Sequence, residues 1–133
     1  MRELAPGVHP ATLTEHGLGA ALRAAAERSP VTVELVVADE RFPETVEAAA
    51  YYVASESLAN VVKYAQATRA VVTACRERDA LVVTVEDDGV GGADPDAGTG
   101  LRGLADRVAA LDGTFGVDSP PGRGTCVRAE LPL

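Results

Sequence analysis

Residues 31–37, VTVELVV, repeat with period two. Val31, Val33, Leu35 and Val37 fall on one face with Thr32 and Glu34 opposite, which predicts a half-buried strand. The pattern then changes to a helical period. From Pro43, suited to a first helical turn, to about Ala65, the apolar stripe is Val46, Ala50, Val53, Ala54, Leu58, Val61 and Val62. Residues 69–77 and 80–87 are two further strand patterns separated only by Arg78-Asp79, so they predict a hairpin. Upstream, Thr12 to Glu15 has the spacing of a capping box, and an Ala- and Leu-rich helix is expected to run on to Ser29. Leu18, Ala21, Leu22 and Ala25 share one face of it, while Gly17 and Gly19 weaken its first turn.

Downstream, residues 88–100 form a glycine-rich loop. Leu101, Leu104, Val108 and Leu111 mark a third helix, for which Gly113 is the expected stop. TFGVD, the turn SPPGRG and TCVRAEL predict a closing hairpin. Three helices and about five mostly alternating strands predict an α/β fold, a two-layer sandwich. Its sheet is expected to be mixed but mostly antiparallel, with the helices on one face. Residues 1–11 read as a linker and residues 12–133 as one domain, without internal repeats.

Charge narrows the function classes. Twelve Lys and Arg stand against twenty Asp and Glu, a formal net charge of −8. An acidic chain lacks the basic face that nucleic acids and anionic membranes need, so neither is expected as a partner. No apolar run reaches the ~18 residues of a membrane span, and no signal-peptide core precedes the domain. Cys75 and Cys126, without metal-site spacing, read as reduced thiols in a cytoplasmic protein.

Four constellations could carry chemistry. On the second helix, Glu56, Asn60 and Lys63 are spaced i, i+4, i+7, with Tyr52 one turn earlier. A carboxylate beside an amide oxygen suits Mg²⁺, whose other ligands come from water and phosphates, and Lys63 would reach the same phosphates. The same triplet also reads as a solvated helix face. At the end of its strand, Asp87 is in phase with Leu81, Val83 and Val85. An inward carboxylate is costly unless bonded, and it suits an amino-group donor such as adenine N6. Gly89 and Gly91 follow, where missing side chains would let a flat base approach; alternatively Asp87 caps a turn. Gly98, Gly100 and Gly103 lead into the third helix, whose free N–H groups, with Leu101 and Arg102 in the first turn, make an anion site. The G-x-G-x-x-G spacing there is not a dinucleotide fingerprint, because ten residues separate Asp87 from Gly98. Finally, Thr125 follows the tight turn Gly122-Arg123-Gly124 and is in phase with Val127, Ala129 and Leu131. Its hydroxyl would face inward like Asp87, to hold a purine edge or to bond to backbone. There is no Walker-type phosphate loop, no nucleophile elbow, and no metal cluster around His9 and His16.

In this order the four elements resemble the ATP-binding catalytic domain of bacterial sensor histidine kinases, which share the gyrase and MutL type of sandwich. The helix with Glu56, Asn60 and Lys63 resembles the N box, and Asp87-Asp88-Gly89-Val90-Gly91 the G1 box. Gly98-Thr99-Gly100-Leu101 resembles the G2 box, and Gly122-Arg123-Gly124-Thr125 the closing glycine–threonine turn. The wording of residues 100–125 is similar to the subfamily paired with response regulators of the NarL type, and the likeness runs from about Pro10 to Leu133.

The resemblance implies ATP and Mg²⁺ as cofactors. It implies that Asn60 binds Mg²⁺, that Glu56 is a polar organiser or base near the γ-phosphate, and that Lys63 contacts phosphate. Asp87 would take the adenine amine with Thr125 in support, while Gly89 and Gly91 would admit the base. Gly98 and Gly100 would hinge the ATP lid, with Leu101 closing the G2 box and Arg102 adding positive potential. Two departures stand out. Tyr64 occupies the place where the subfamily usually has His, and neither His9, before Pro10, nor His16, before Gly17, sits in an acceptor hairpin. The chain is therefore expected to be a catalytic domain that cannot phosphorylate itself. Its partners would be a histidine-bearing dimerisation module and, indirectly, a response regulator. A nucleotide-binding regulatory module without phosphotransfer and an anti-sigma-factor serine kinase remain as alternatives.

Overall fold

The computed structural model describes residues 11–92 and 100–133. Two short helices, α1 (Ala11–His16) and α2 (Leu18–Glu27), lead into β1 (Thr32–Val37). The long helix α3 (Glu44–Asn60) continues as a π-helical turn over Val61–Ala65. Then come β2 (Arg69–Glu77), β3 (Ala80–Asp87), α4 (Leu101–Ala109), β4 (Thr114–Asp118) and β5 (Thr125–Pro132). The strands form one sheet in the order β1-β2-β3-β5-β4. The β1–β2 pair is parallel, joined through α3, and the other pairs are antiparallel.

The alternation expected of the strands decides which face meets the helices. Val72, Leu81, Val83, Val85, Val127, Ala129 and Leu131 are all buried and pack with Val53, Ala54 and Leu58 of α3 and Leu104 and Val108 of α4. The opposite face is mixed. Val36 is 49 % exposed, and the hydroxyls of Thr73 and Thr84 bond to each other across the β2–β3 pair. Arg69 and Glu34 pair across the β1–β2 step. Arg78, at φ 56°, turns the hairpin so that Glu77 faces Ala80.

Four expectations are corrected. The single first helix is two, because Gly17 adopts φ 92°, ψ 179° and the Arg41 side chain lies where a Cβ would stand, 2.9 Å from Cδ. Pro43 is the N-cap of α3, with ψ 144°, and not a residue of its first turn. The α-helix stops at Asn60, and Val62, placed on its apolar stripe, is 44 % exposed. The third helix is closed by Asp112 at φ 62°, whereas Gly113 is needed for close approach, since a methyl there would lie 2.8 Å from Val108 Cγ1. The start of the domain is held by a buried acid. Glu47, 2 % exposed, receives Arg41 Nε at 3.0 Å and Nη2 at 3.1 Å, as well as the backbone N–H of Phe42 at 3.2 Å. Arg41 also reaches the carbonyl of Thr14, which ties α1 to the head of α3. No helix among the described residues is long and apolar enough to cross a membrane.

Candidate functional site

Asp87 is the last residue of β3 and sits in register with Ala70 of β2 and Thr125 of β5. It is half-buried and shares the helix-facing side with buried Val85 and Val127. Its Oδ1 accepts the backbone N–H of Gly89 at 2.8 Å. The turn-capping role and the inward orientation therefore coexist, because an ionised carboxylate has acceptor capacity on both oxygens.

The loop after Asp87 is laced to two other segments. Val90 donates its N–H to the carbonyl of Ala65 at 2.7 Å, in the π-helical turn. Gly122 donates to Val90 at 2.6 Å and Gly92 to Ser119 at 2.8 Å, both in the β4–β5 connection. The glycines make this possible. A methyl on Gly89 would collide with the Ala65 carbonyl group, its carbon only 2.8 Å away. Gly91, at φ +67°, lies against Pro120 and Gly124, and Gly124, at φ +77°, lies against Asp87. So backbone meeting backbone is itself enough to require Gly89 and Gly91, apart from any base that approaches there.

Asp88 emerges as a structural residue that sequence reading passed over. Its Oδ1 accepts N–H groups of Thr68 (2.9 Å) and Arg69 (3.1 Å), and its Oδ2 accepts the Thr68 hydroxyl at 2.7 Å. The Thr68 hydroxyl, followed by these two amides, holds the carboxyl below its ordinary value of 3.8. A lowered folded pKa contributes stability that is present above the unfolded value and is lost as pH falls through the folded one. We expect Asp88→Asn to melt earlier than the parent at pH 7. The difference should shrink below about pH 4, where the parent carboxylate also takes up its proton. Thermal melts at pH 7 and pH 3 would check this, and a constant difference would contradict it. On the neighbouring strand, the hydroxyls of Thr125 and Ser119 share a hydrogen bond of 2.6 Å.

The helical candidates stand on α3 and the π-helical turn that follows it. Glu56 is exposed and Asn60, the last residue of α3, is half-buried. Lys63 is exposed but lies in the π-helical turn, whose wider i→i+5 winding ends the regular stripe at Asn60. Tyr52 does not simply extend that stripe, because Arg107 of α4 stacks on its ring at 4.0 Å and joins the two helices. Gly100, at φ 88°, precedes α4; Leu101 is 2 % exposed and belongs to the core, while Arg102 is exposed in the first turn. Gly98 lies outside the described residues. Among those residues no three His, Cys, Asp or Glu side chains gather round one point. The oxygen donors of Glu56 and Asn60, one turn apart, are the kind of partial set that suits a hard cation completed by phosphate and water.

Two signals could have revealed more in the sequence: the Asp-Asp doublet after a strand, and a serine, Ser57, in phase with the buried stripe of α3.

The chain has known relatives. It is 32% identical to the oxygen sensor histidine kinase NreB of Staphylococcus carnosus over 100% of this chain and 41% of that protein. It is 29% identical to the signal transduction histidine-protein kinase/phosphatase DegS of Bacillus subtilis over 71% of this chain and 26% of that protein. The chain thus spans about two fifths or less of the length of these relatives. Among solved structures, the blue-light activated histidine kinase EL346 of Erythrobacter litoralis superposes with a TM-score of 0.76 at 26% identity, over 87% of this chain and 42% of that one. Residues 45–133, from the head of α3 to the last strand, match the profile of the histidine kinase-, DNA gyrase B- and HSP90-like ATPases, and the chain belongs to that family.

Proposed function

We propose that this domain binds Mg²⁺·ATP at the open end of β3 and β5 and donates the γ-phosphoryl group to a histidine on a separate dimerisation module. A response-regulator aspartate would receive it next. The observation that carries the reading is Asp87, a carboxylate at the helix-facing end of the central strand, in register with Thr125 and fixed by the Gly89 N–H at 2.8 Å. One edge of this carboxylate is committed to the loop. The remaining acceptor capacity is directed to a donor such as the adenine amine.

Phosphoryl transfer asks little covalent chemistry of the protein and much positioning. Asp87 would fix the base, and the laced 88–92 loop gives that contact a rigid floor. Asn60 and Glu56 would hold and orient a hydrated Mg²⁺, which when bound offsets charge on the β- and γ-phosphates. Lys63 and Arg102 would bring cationic charge to the phosphates on an otherwise acidic chain. The exposure of Glu56 and Lys63 suits residues that complete their contacts only with nucleotide present.

The test is transfer. The chain would be incubated with γ-labelled Mg²⁺·ATP and a purified histidine-bearing dimerisation hairpin from one of the relatives. Acid-labile, base-stable label should appear on the hairpin. Nucleotide binding without any label on the hairpin would instead favour a regulatory module.

A further inference from the structure

Ser57 is 2 % exposed, and its Oγ is the buried side-chain oxygen that finds no hydrogen-bond partner among the described residues. A helical serine normally returns its hydroxyl to the carbonyl one turn back, and a buried polar group left without a partner is destabilising. Such a residue calls for a function.

Its place follows from the packing. Ser57 is in helical phase with Val46, Ala50, Val53, Ala54 and Val61, the buried stripe that faces the sheet, and α3 packs on β3 and β5. The far end of this helical segment is fixed, because Ala65 meets Gly89 and bonds to Val90. Ser57 stands eight residues before Ala65, about 12 Å at a helical rise of ~1.5 Å. Counting back a similar length from Gly89 at ~3.3 Å per residue reaches Val85 and Glu86, beside Asp87 on β3. Asp87 and Val85 share the helix-facing side.

We infer that the Ser57 hydroxyl is a further base-recognition group of the nucleotide pocket, which selects adenine over guanine by donating a hydrogen bond, directly or through one water, to the ring nitrogen beside the amine held by Asp87. The inference rests on the nucleotide reading above. Its chemical basis is that an acceptor alone does not discriminate. A carboxylate accepts from the adenine amine and equally from the N–H groups of a guanine edge. On the Watson–Crick edge adenine places an acceptor nitrogen, N1, beside its amine where guanine carries N1–H, so a neighbouring donor makes the pair selective. The Thr125 hydroxyl shares a hydrogen bond with Ser119 in which either can donate, whereas the Ser57 hydroxyl has no partner among the described residues.

The experiment measures binding of the imido analogues of ATP and GTP to the wild-type chain, Ser57→Ala and Asp87→Asn, with melting curves for each. Ser57→Ala should fold and melt no lower than wild type, since alanine removes an unpaired hydroxyl and favours the helix. Its preference for the ATP analogue over the GTP analogue should fall by about five- to tenfold. An unchanged preference, with Asp87→Asn still defective, overturns the role of Ser57 and leaves the nucleotide site standing. A folded wild type that binds neither analogue overturns the nucleotide reading, and this inference with it.

Discussion

Replacing Asp87 with Asn should weaken binding of a non-hydrolysable ATP analogue by about 30- to 100-fold, which corresponds to the loss of a hydrogen bond to a charged group. The geometry makes this variant informative beyond the loss of charge. The Gly89 N–H needs an acceptor and takes it from Asp87 Oδ1 at 2.8 Å. Asparagine has one carbonyl oxygen, and the loop would claim it. The amide NH₂ would then face the pocket and set donor against donor where the adenine amine is to sit. The loop stays capped, so the melting temperature should change little while affinity collapses. Competition against a fluorescent nucleotide, read beside a thermal melt, separates the two effects. Wild-type affinity in a folded Asp87→Asn chain would remove Asp87 from the site.

Gly89→Ala should act in the opposite way, on the fold before the ligand. A methyl there would lie 2.8 Å from both the carbonyl carbon and Cβ of Ala65, closer still to the oxygen, and that oxygen already accepts the Val90 N–H. Neither side can yield without breaking the seam between the π-helical turn and the 88–92 loop. Backbone collisions of this kind cost about 2–4 kcal/mol, so the melting temperature should fall by roughly 10 °C. Gly103→Ala supplies the contrast. Gly103 lies within α4, and beyond its own chain neighbours and the surrounding helical backbone nothing lies within 4 Å of the added methyl, so alanine should leave the melting temperature unchanged or raise it, by up to ~1 kcal/mol of stability. If Gly89→Ala melted like the parent, the close packing at Ala65 would be refuted.

The strands and their facing were legible because period two is a local property. Leu81, Val83, Val85 and Asp87 could be placed on one side of β3 before any neighbour was known, and the register with Thr125 bears out their common face. The antiparallel β2–β3 turn and the mixed sheet followed from the same patterns. What could not be read depends on partners far along the chain. Gly17 looks like a weak helical residue until Arg41 is seen to occupy its side-chain space. The π-helical turn at Val61–Ala65 continues an apolar helical pattern, and its seam with Gly89 and Val90 lies more than twenty residues away. Asp88 resembles any turn aspartate until Thr68 and Arg69 fill both its oxygens. Leu101, by contrast, is legible as the first residue of the third helix's apolar stripe, and its burial bears this out. The phase of Ser57 with an apolar stripe is visible in the sequence, but that its hydroxyl finds no partner among the described residues is not.

Calorimetric titration of the wild-type chain with a non-hydrolysable ATP analogue tests most directly whether this end of the sheet binds Mg²⁺·ATP. Saturable one-site binding that tightens when Mg²⁺ is present is the expected result. A folded chain that gives no heat of binding under either condition would contradict it.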